Sequence, residues 1–160
     1  VTTTQDRQGE VTEANDVKPF SEDEIRAALD KFTGDFYQTP PMVSAIKKDG
    51  VPLYKLARQG KEVKRDPRLV HVYNYELGEV SLPEFSFRVV CSKGFYVRTY
   101  AHEIGAELGC GGHLSALRRT KSGKFSADGA ITFDELKHGS RESVAQRALS
   151  LADVSRLRGA

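Results

Sequence analysis

The chain has 160 residues, of which 39% are hydrophobic and 29% are charged, and its formal net charge is +2. This length and composition predict one globular domain, or part of one, with enough chain to bury a core. They exclude a helical membrane protein, because no run approaches the roughly 20 apolar residues that a span requires. The polar N-terminus has no hydrophobic stretch of the kind that marks a signal peptide.

Cysteine and histidine usage narrows the class of protein further. Cys91 and Cys110 do not make a disulfide framework, which favours a reducing cytoplasm. The four histidines are scattered without metal-ligand spacing, so we predict no metal site. The chain begins with Val1, and its only methionine is Met42. We therefore expect a fragment whose true start lies upstream.

Charge is distributed unevenly along the chain. Acidic residues crowd residues 6–35, whereas cations concentrate in residues 55–68 and 118–124. One interpretation is a protein face that meets phosphates while the rest of the surface remains solvated. The alternative is an ordinary mixed surface, and charge alone does not decide between them.

The first strong structural signal is Ser21-Glu22-Asp23-Glu24, a capping-box pattern that starts an amphipathic helix ended by Gly34. Residues 35–50 have no regular pattern apart from a short apolar strand over residues 42–46. Asp49-Gly50 indicates a hairpin turn, and residues 53–59 a short helix. With two prolines and two lysines, this region is interpreted as a rigid basic platform or simply a structured loop.

Two alternating segments follow, over residues 69–80 and 85–91. The turn at Leu82-Pro83 between them predicts antiparallel pairing, with Tyr73 and Tyr75 on the face opposite Val70. A second capping-box pattern predicts a helix after Thr132, and apolar periodicity predicts another over residues 140–149. Together these elements predict an α+β fold with a mixed or antiparallel sheet and flanking helices.

The densest segment runs from residue 85 to 120. After the break at Gly94, Tyr96 and Arg98 fall on one face if the chain is still extended. A short helix and a Gly-rich turn follow, and then come the cations Arg118 and Arg119. Tyr-x-Arg is a weak signal. Tyr96 and Arg98 could equally lie at a sheet edge without a function, and Arg118 and Arg119 at a solvated strand end.

Four longer motifs carry a resemblance to a known family: QTPPMVSAIKKDGVPLYKLARQGKEV, GFYVRT, EIGAELGCGGHLSALRRTKSGKFS and AITFDEL. Together they resemble the TruB family of tRNA pseudouridine synthases, in the bacterial branch that works without a guide RNA. The similarity extends from Thr2 to about Val154. Val43 departs from an aromatic residue that is often found in the family, and Gly112 from a usual alanine.

The resemblance implies an enzyme that isomerises uridine in the T-loop of tRNA to pseudouridine without cofactor or metal. It implies a cytoplasmic protein that is monomeric when complete. The family requires an aspartate nucleophile in a Gly-x-Leu-Asp-type loop and a tyrosine soon after it, and neither motif occurs here. We therefore expect residues 1–160 to be a single partial domain, inactive alone and lacking the C-terminal RNA-binding domain of many members.

The resemblance also assigns roles to six residues. Arg98 matches the arginine that pairs with the nucleophilic aspartate, and Tyr96 matches the aromatic floor of the uridine pocket; both are the expected catalytic residues. Leu117 would pack against the flipped base from the other side. The expected phosphate contacts are Lys47, Arg118 and Arg119, for which solvated cations are the alternative.

Two other functions remain open from the sequence. The first is a module that binds structured RNA without chemistry of its own. The second is a hydrolase that uses Cys91 or Cys110 with His102 or His113, which is disfavoured because no sequence feature orients a histidine as the base. An aspartate loop encoded upstream of Val1 would distinguish the enzyme from the binding module.

Overall fold

A computed structural model describes residues 1–158. The chain divides into two compact units, Val1–Ala116 and Leu117–Ala160, here called the first and the second unit. Residues 159–160 lie outside the described part of the predicted 1–160 domain. The prediction of a single partial domain stays a prediction.

The first unit contains three helices and five strands, and the described part of the second unit contains three helices and two strands. In chain order the elements are α1 Glu22–Asp30, β1 Gly34–Gln38, β2 Lys47–Lys48, β3 Val51–Pro52, α2 Leu53–Arg58, β4 Arg68–Ser81, β5 Glu84–Cys91, α3 Val97–Glu107, β6 Lys121–Ser122, β7 Phe125–Ser126, α4 Phe133–His138, α5 Arg141–Arg147 and α6 Leu151–Arg158. This mixture of small antiparallel sheets and helices confirms the predicted α+β class.

The main sheet is antiparallel, with the strand order β1-β4-β5. The predicted pairing of β4 with β5 is confirmed, and Val72 lies opposite Cys91. Strand β1 was not predicted, because five residues are too few to show a period. Gly34 adopts a φ of +83°, which glycine tolerates without a steric penalty, and so β1 can begin four residues after α1 ends.

An irregularity in β4 corrects one predicted side-chain orientation. The register between β4 and β5 shifts between Val72 and Asn74, and such a bulge reverses which side chains face inward. Tyr75 therefore packs against the core, where the simple alternation placed it outside. Its hydroxyl donates to Asp30 of α1 at 2.6 Å, which ties the sheet to that helix.

The core of the first unit lies between the main sheet, α1 and α3. Its fully buried members include Ile25 and Leu29 of α1, and Tyr100 and Ile104 of α3. Gly105 lets the turn after α3 pack against that helix, because a Cβ atom there would lie 2.4 Å from a backbone atom of Gly111. This packing fixes the position of α3, whose first turn carries Arg98.

Three other local predictions were wrong. Residues 42–46 do not form a strand, and β2 begins only at Lys47. The chain is already helical at Val97 and Tyr96 is the N-cap residue, so Tyr96 and Arg98 do not lie on one face of a strand. The predicted helix over residues 140–149 ends at Arg147, and α6 begins separately. The Ser150 and Asp153 side chains exchange hydrogen bonds with each other's backbone amides, which starts a new helix.

Candidate functional site

Arg98 lies in the first turn of α3, and its side chain is 22% exposed. Its Nη1 donates to Asp6 Oδ2 at 3.0 Å, and its Nη2 donates to the Val43 carbonyl oxygen at 2.7 Å. A longer contact of 3.5 Å joins Nη1 to the Thr4 carbonyl oxygen. One guanidinium group therefore holds together α3, the N-terminal segment and the segment before β2.

Asp6 is bound on both of its carboxylate oxygens. Besides the bond from Arg98, Oδ1 accepts from the Thr4 hydroxyl at 2.7 Å and from the Gln8 amide at 3.1 Å. Burial by itself raises the pKa of Asp6, but the hydrogen bonds from Thr4, Arg98 and Gln8 outweigh it and hold the pKa below its ordinary value. Asp6 is therefore an ionised partner of Arg98 at neutral pH.

Tyr96 is held by its backbone. The buried Gln38 side chain accepts from the Tyr96 amide at 2.8 Å and donates to the Tyr96 carbonyl oxygen at 3.2 Å. The Tyr96 side chain is partly buried. Because Gln38 ends β1, the sheet directly positions the residue that precedes α3. In the first turn of α3 the Thr99 hydroxyl donates to Gln5 at 2.8 Å, which adds a second link to the N-terminal segment.

One carboxylate in α3, that of Glu103, is only partly hydrogen-bonded. Glu103 Oε2 is buried and has no hydrogen-bond partner among the described residues. Burial raises the pKa of Glu103, and the Gln38 amide lowers it only in part. A buried carboxylate oxygen without a hydrogen-bond partner costs free energy in the ionised form, so burial disfavours the charged state of Glu103.

The predicted site residues belong to both units of the chain. Tyr96 and Arg98 meet Gln38 and Asp6 in the first unit. Lys47 lies on the β2–β3 hairpin of the same unit, where it lines a separate cleft. The remaining predicted residues belong to the second unit, where all are exposed: Leu117, Arg118 and Arg119. Their predicted roles stay predictions.

Sequence reasoning missed Asp6 and Gln38. One signal for Asp6 was present in the turn sequence Asp6-Arg7-Gln8-Gly9, because an aspartate in a turn often accepts from the backbone amide two residues on. It did not indicate a partner 92 residues away. Gln38 had no sequence signal, because its contact with Tyr96 spans 58 residues.

The geometry disfavours a Cys/His nucleophilic site at Cys110. Its thiol lies 3.3 Å from the carbonyl oxygen of Gly111, and His102 Nδ1 lies 3.3 Å from that of Gly112. Each group thus contacts the backbone of the Gly-rich turn. In residues 1–158, no three or more His, Cys, Asp or Glu side chains gather where they could hold a metal ion. No helix in that range is long and apolar enough to cross a bilayer.

Comparison with known proteins identifies the class to which this fold and site belong. Residues 1–97 match the N-terminal domain of the TruB family of pseudouridylate synthases, and residues 98–154 match the tRNA pseudouridylate synthase B C-terminal domain. The boundary between the two matches falls directly before Arg98. The chain belongs to the TruB family.

Curated relatives agree with this assignment. The chain is 57% identical to tRNA pseudouridine synthase B of Opitutus terrae over 86% of this chain and 57% of the relative. It is 48% identical to the same-named protein of Geobacter sulfurreducens, over 85% of this chain and 45% of the relative. It is 43% identical to the same-named protein of Syntrophotalea carbinolica, over 97% of this chain and 51% of the relative. The chain thus spans about half the length of the curated relatives it matches.

A solved structure supports the fold. A chain in a crystal structure of a Cbf5–Nop10–Gar1 complex aligns with a TM-score of 0.66 at 29% sequence identity. The alignment covers 88% of this chain and 40% of the other. The predicted family resemblance and fold class are therefore both confirmed.

Proposed function

We propose that the protein carrying this chain is a tRNA pseudouridine synthase that isomerises a uridine in the T-loop of tRNA. Membership of the TruB family and the names of the relatives support this activity. The observation that carries the proposal is the fixed Arg98 guanidinium. It is held by one carboxylate and by the Val43 carbonyl, so it is ordered before any substrate binds.

In this proposal Arg98 keeps a nucleophilic carboxylate ionised and oriented. A guanidinium can do both, because it supplies a permanent charge and several donors in a fixed plane. Tyr96 forms the floor of the pocket for the flipped uridine, where an aromatic ring offers a flat apolar surface with a polar tip. The hydrogen bonds between the Gln38 side chain and the Tyr96 backbone support this role, since they fix the backbone from which the ring projects.

The RNA contacts complete the proposal. Leu117 packs against the flipped base, and three cations bind phosphates of the T-arm: Lys47, Arg118 and Arg119. All four residues are accessible in their own units, since Lys47 is exposed on β2 and the others are exposed in the second unit. The reaction requires no cofactor or metal, and the enzyme acts as a cytoplasmic monomer.

We further propose that residues 1–160 alone do not form pseudouridine. Asp6 is the carboxylate beside Arg98, but both of its oxygens accept hydrogen bonds and one of them is the anchor of Arg98. Hydrogen bonds alone do not stop a carboxylate from attacking carbon, but Asp6 does not stand in a Gly-x-Leu-Asp-type loop of the kind that carries the family's nucleophile, and orientation by other residues does not replace a nucleophile. Asp6 is therefore a positioning residue, and the nucleophile lies elsewhere in the complete protein.

The test measures pseudouridine formation on an unmodified tRNA transcript. The protein expressed from its whole native gene should form pseudouridine, whereas residues 1–160 alone should not. Turnover by the lone chain would overturn this proposal and show that residues 1–160 contain a nucleophile. Binding of tRNA by the native protein without any turnover would favour the alternative function, a structured-RNA-binding module.

A further inference from the structure

Helix α3 carries a partly buried carboxyl group to which the proposed reaction gives no role, that of Glu103. Tyr96 is the N-cap residue of α3, and Thr99 and Glu103 follow it at i+3 and i+7, so the three lie along one side of the helix. Each of them bonds to a residue outside α3. Gln38 binds both the Tyr96 backbone and the Glu103 carboxyl group, and Gln5 binds the Thr99 hydroxyl. Glu103 thus shares a side of α3 with the proposed floor of the uridine pocket.

Gln38 connects Glu103 to Tyr96. It is only 1% exposed. Its amide oxygen accepts from the Tyr96 amide at 2.8 Å, and its amide nitrogen donates to the Tyr96 carbonyl oxygen at 3.2 Å. The same nitrogen carries a second N–H, which serves the hydrogen bond between the Gln38 side chain and the Glu103 carboxyl group. The oxygen and both N–H groups of the amide are therefore engaged, which holds the Gln38 side chain in one orientation.

The Tyr96 backbone depends on Gln38, because the Tyr96 side chain makes no capping hydrogen bond of its own. Its carbonyl oxygen accepts from the Tyr100 amide at 3.0 Å within the helix. Its amide precedes the helical ladder, and its partner is Gln38. The direction in which the Tyr96 ring leaves the backbone therefore follows the orientation of the Gln38 amide.

Stability alone does not account for a carboxyl group at this position. Glu103 Oε2 is buried without a hydrogen-bond partner among the described residues, and burial raises the pKa of Glu103. A buried oxygen without a partner costs free energy, which an apolar side chain of similar size does not. Departures from the most stable local choice are expected at functional sites. What a leucine would lack here is an acceptor for the Gln38 amide.

We propose that Glu103 is a positioning residue for the reaction, acting through Gln38 to hold the Tyr96 ring at the floor of the uridine pocket. The inference rests on the proposed function, since that function places the flipped base on Tyr96. In this arrangement a carboxyl group two turns along α3 orients a side chain of β1, and that side chain fixes the N-cap of α3. The arrangement requires a hydrogen-bond acceptor at Glu103, so a carboxamide oxygen should serve there as well.

The experiment uses the protein expressed from its whole native gene and compares Glu103→Leu with Glu107→Leu. Glu103→Leu removes the acceptor and fills its space with an apolar group. Glu107→Leu makes the same change one turn further along α3, at an exposed residue that pairs with Lys31. Glu103→Gln is the conservative variant, since it keeps an acceptor for Gln38. Thermal melting, tRNA affinity and the single-turnover rate of pseudouridine formation are measured for each.

Glu103→Leu should lower the single-turnover rate about 10- to 100-fold, because a misplacement of about 1 Å costs a rate about that much. Its tRNA affinity and melting temperature should stay close to those of the parent. Glu103→Gln should restore the rate to within a few-fold, and Glu107→Leu should keep it. A Glu103→Leu protein that melts lower but reacts at the parent rate would show a merely structural residue and overturn the inference. Glu103→Ala is judged by the same outcomes if Glu103→Leu does not fold.

A double-mutant cycle tests the route through Gln38. Gln38→Leu should lower the rate at least as much as Glu103→Leu does. The double variant should be no slower than Gln38→Leu, because Glu103 then has no amide to orient. Losses that multiply in the double variant would overturn the action through Gln38. A parent protein that binds tRNA but forms no pseudouridine would contradict the proposed function itself, whereas every outcome above leaves that function intact.

Discussion

The two units of the chain use similar local signals but differ in what they bury. Helix α1 of the first unit and helix α4 of the second unit both begin with a complete capping box, formed by Ser21 and Glu24 and by Thr132 and Glu135. Helix α1 buries Ile25 and Leu29 fully, whereas no residue is buried in the described residues 117–158. Capping decides where a helix starts, and burial decides how much stability it contributes.

The two units also differ in how tightly their proposed site residues are held. Arg98 in the first unit is held by partners from distant parts of the chain, at separations of 92 and 55 residues. Arg118 and Arg119 in the second unit are exposed. A fixed guanidinium is suited to directing a reacting group, whereas exposed cations are suited to phosphate binding that tolerates variable geometry.

The largest expected effect tests the fixed guanidinium. Arg98→Lys in the protein from its native reading frame should lower kcat about 10²–10³-fold, because an ammonium does not reproduce the planar set of donors. The affinity for tRNA should change little. The matched variant Arg118→Lys should keep kcat, since charge alone suffices at a phosphate. Activity of Arg98→Lys within a few-fold of the parent in a tritium-release assay would remove Arg98 from the catalytic residues.

The next effect tests the difference in burial. Ile104→Ala should lower the free energy of unfolding by about 2–5 kcal/mol, because it leaves a cavity in a fully packed core. Leu151→Ala, at a side chain that is 89% exposed, should change it by less than about 0.5 kcal/mol. Urea denaturation of both variants measures the contrast. Equal losses would show that Leu151 is covered in the complete protein.

A smaller effect concerns the anchor of Arg98. Asp6→Asn should lower the free energy of unfolding by about 1–3 kcal/mol at neutral pH, because it weakens a charge-assisted hydrogen bond. The folded-state pKa of Asp6 is below its ordinary value of 3.8. Its contribution is therefore complete above that value and is lost as the pH falls through the folded pKa.

Parent and Asp6→Asn should accordingly converge in stability in acid. Urea denaturation over a pH series measures this convergence. Asp16→Asn, at an exposed aspartate of the same segment, is the matched control and should follow the parent throughout. A constant difference between parent and Asp6→Asn down to strong acid would show that the Asp6 charge does not act through Arg98.

The smallest effect compares the two capping boxes. The backbone amide and hydroxyl of Thr132, together with Arg147, lower the pKa of Glu135 to about 2. The Ser21 amide and hydroxyl lower the pKa of Glu24 without an arginine. Arg147→Ala should therefore raise the pKa of Glu135 part of the way to its ordinary 4.5 and leave that of Glu24 unchanged, as carboxyl NMR titrations would show. A Glu24 pKa that moves equally would contradict a local cause.

Much of the fold could be predicted where the signal was local and repeated. The alternation in β4 and β5 and both capping boxes indicated real elements, because each depends on neighbours a few residues apart. The family motifs indicated Arg98 and Tyr96 before any contact was known. Prediction failed at β1, which is too short to show a period, and at Tyr75, where a bulge reversed the alternation.

By itself the sequence determined the α+β class, the starts of α1, α4 and α5, and the family, because capping, periodicity and motif order are encoded within short stretches of chain. Only the tertiary structure decided that Asp6 anchors Arg98, that Gln38 fixes Tyr96 and that Glu103 bonds to Gln38. The reason is physical. These contacts join residues far apart in the chain, and side-chain spacing along a sequence carries no distance information once the chain has turned back on itself.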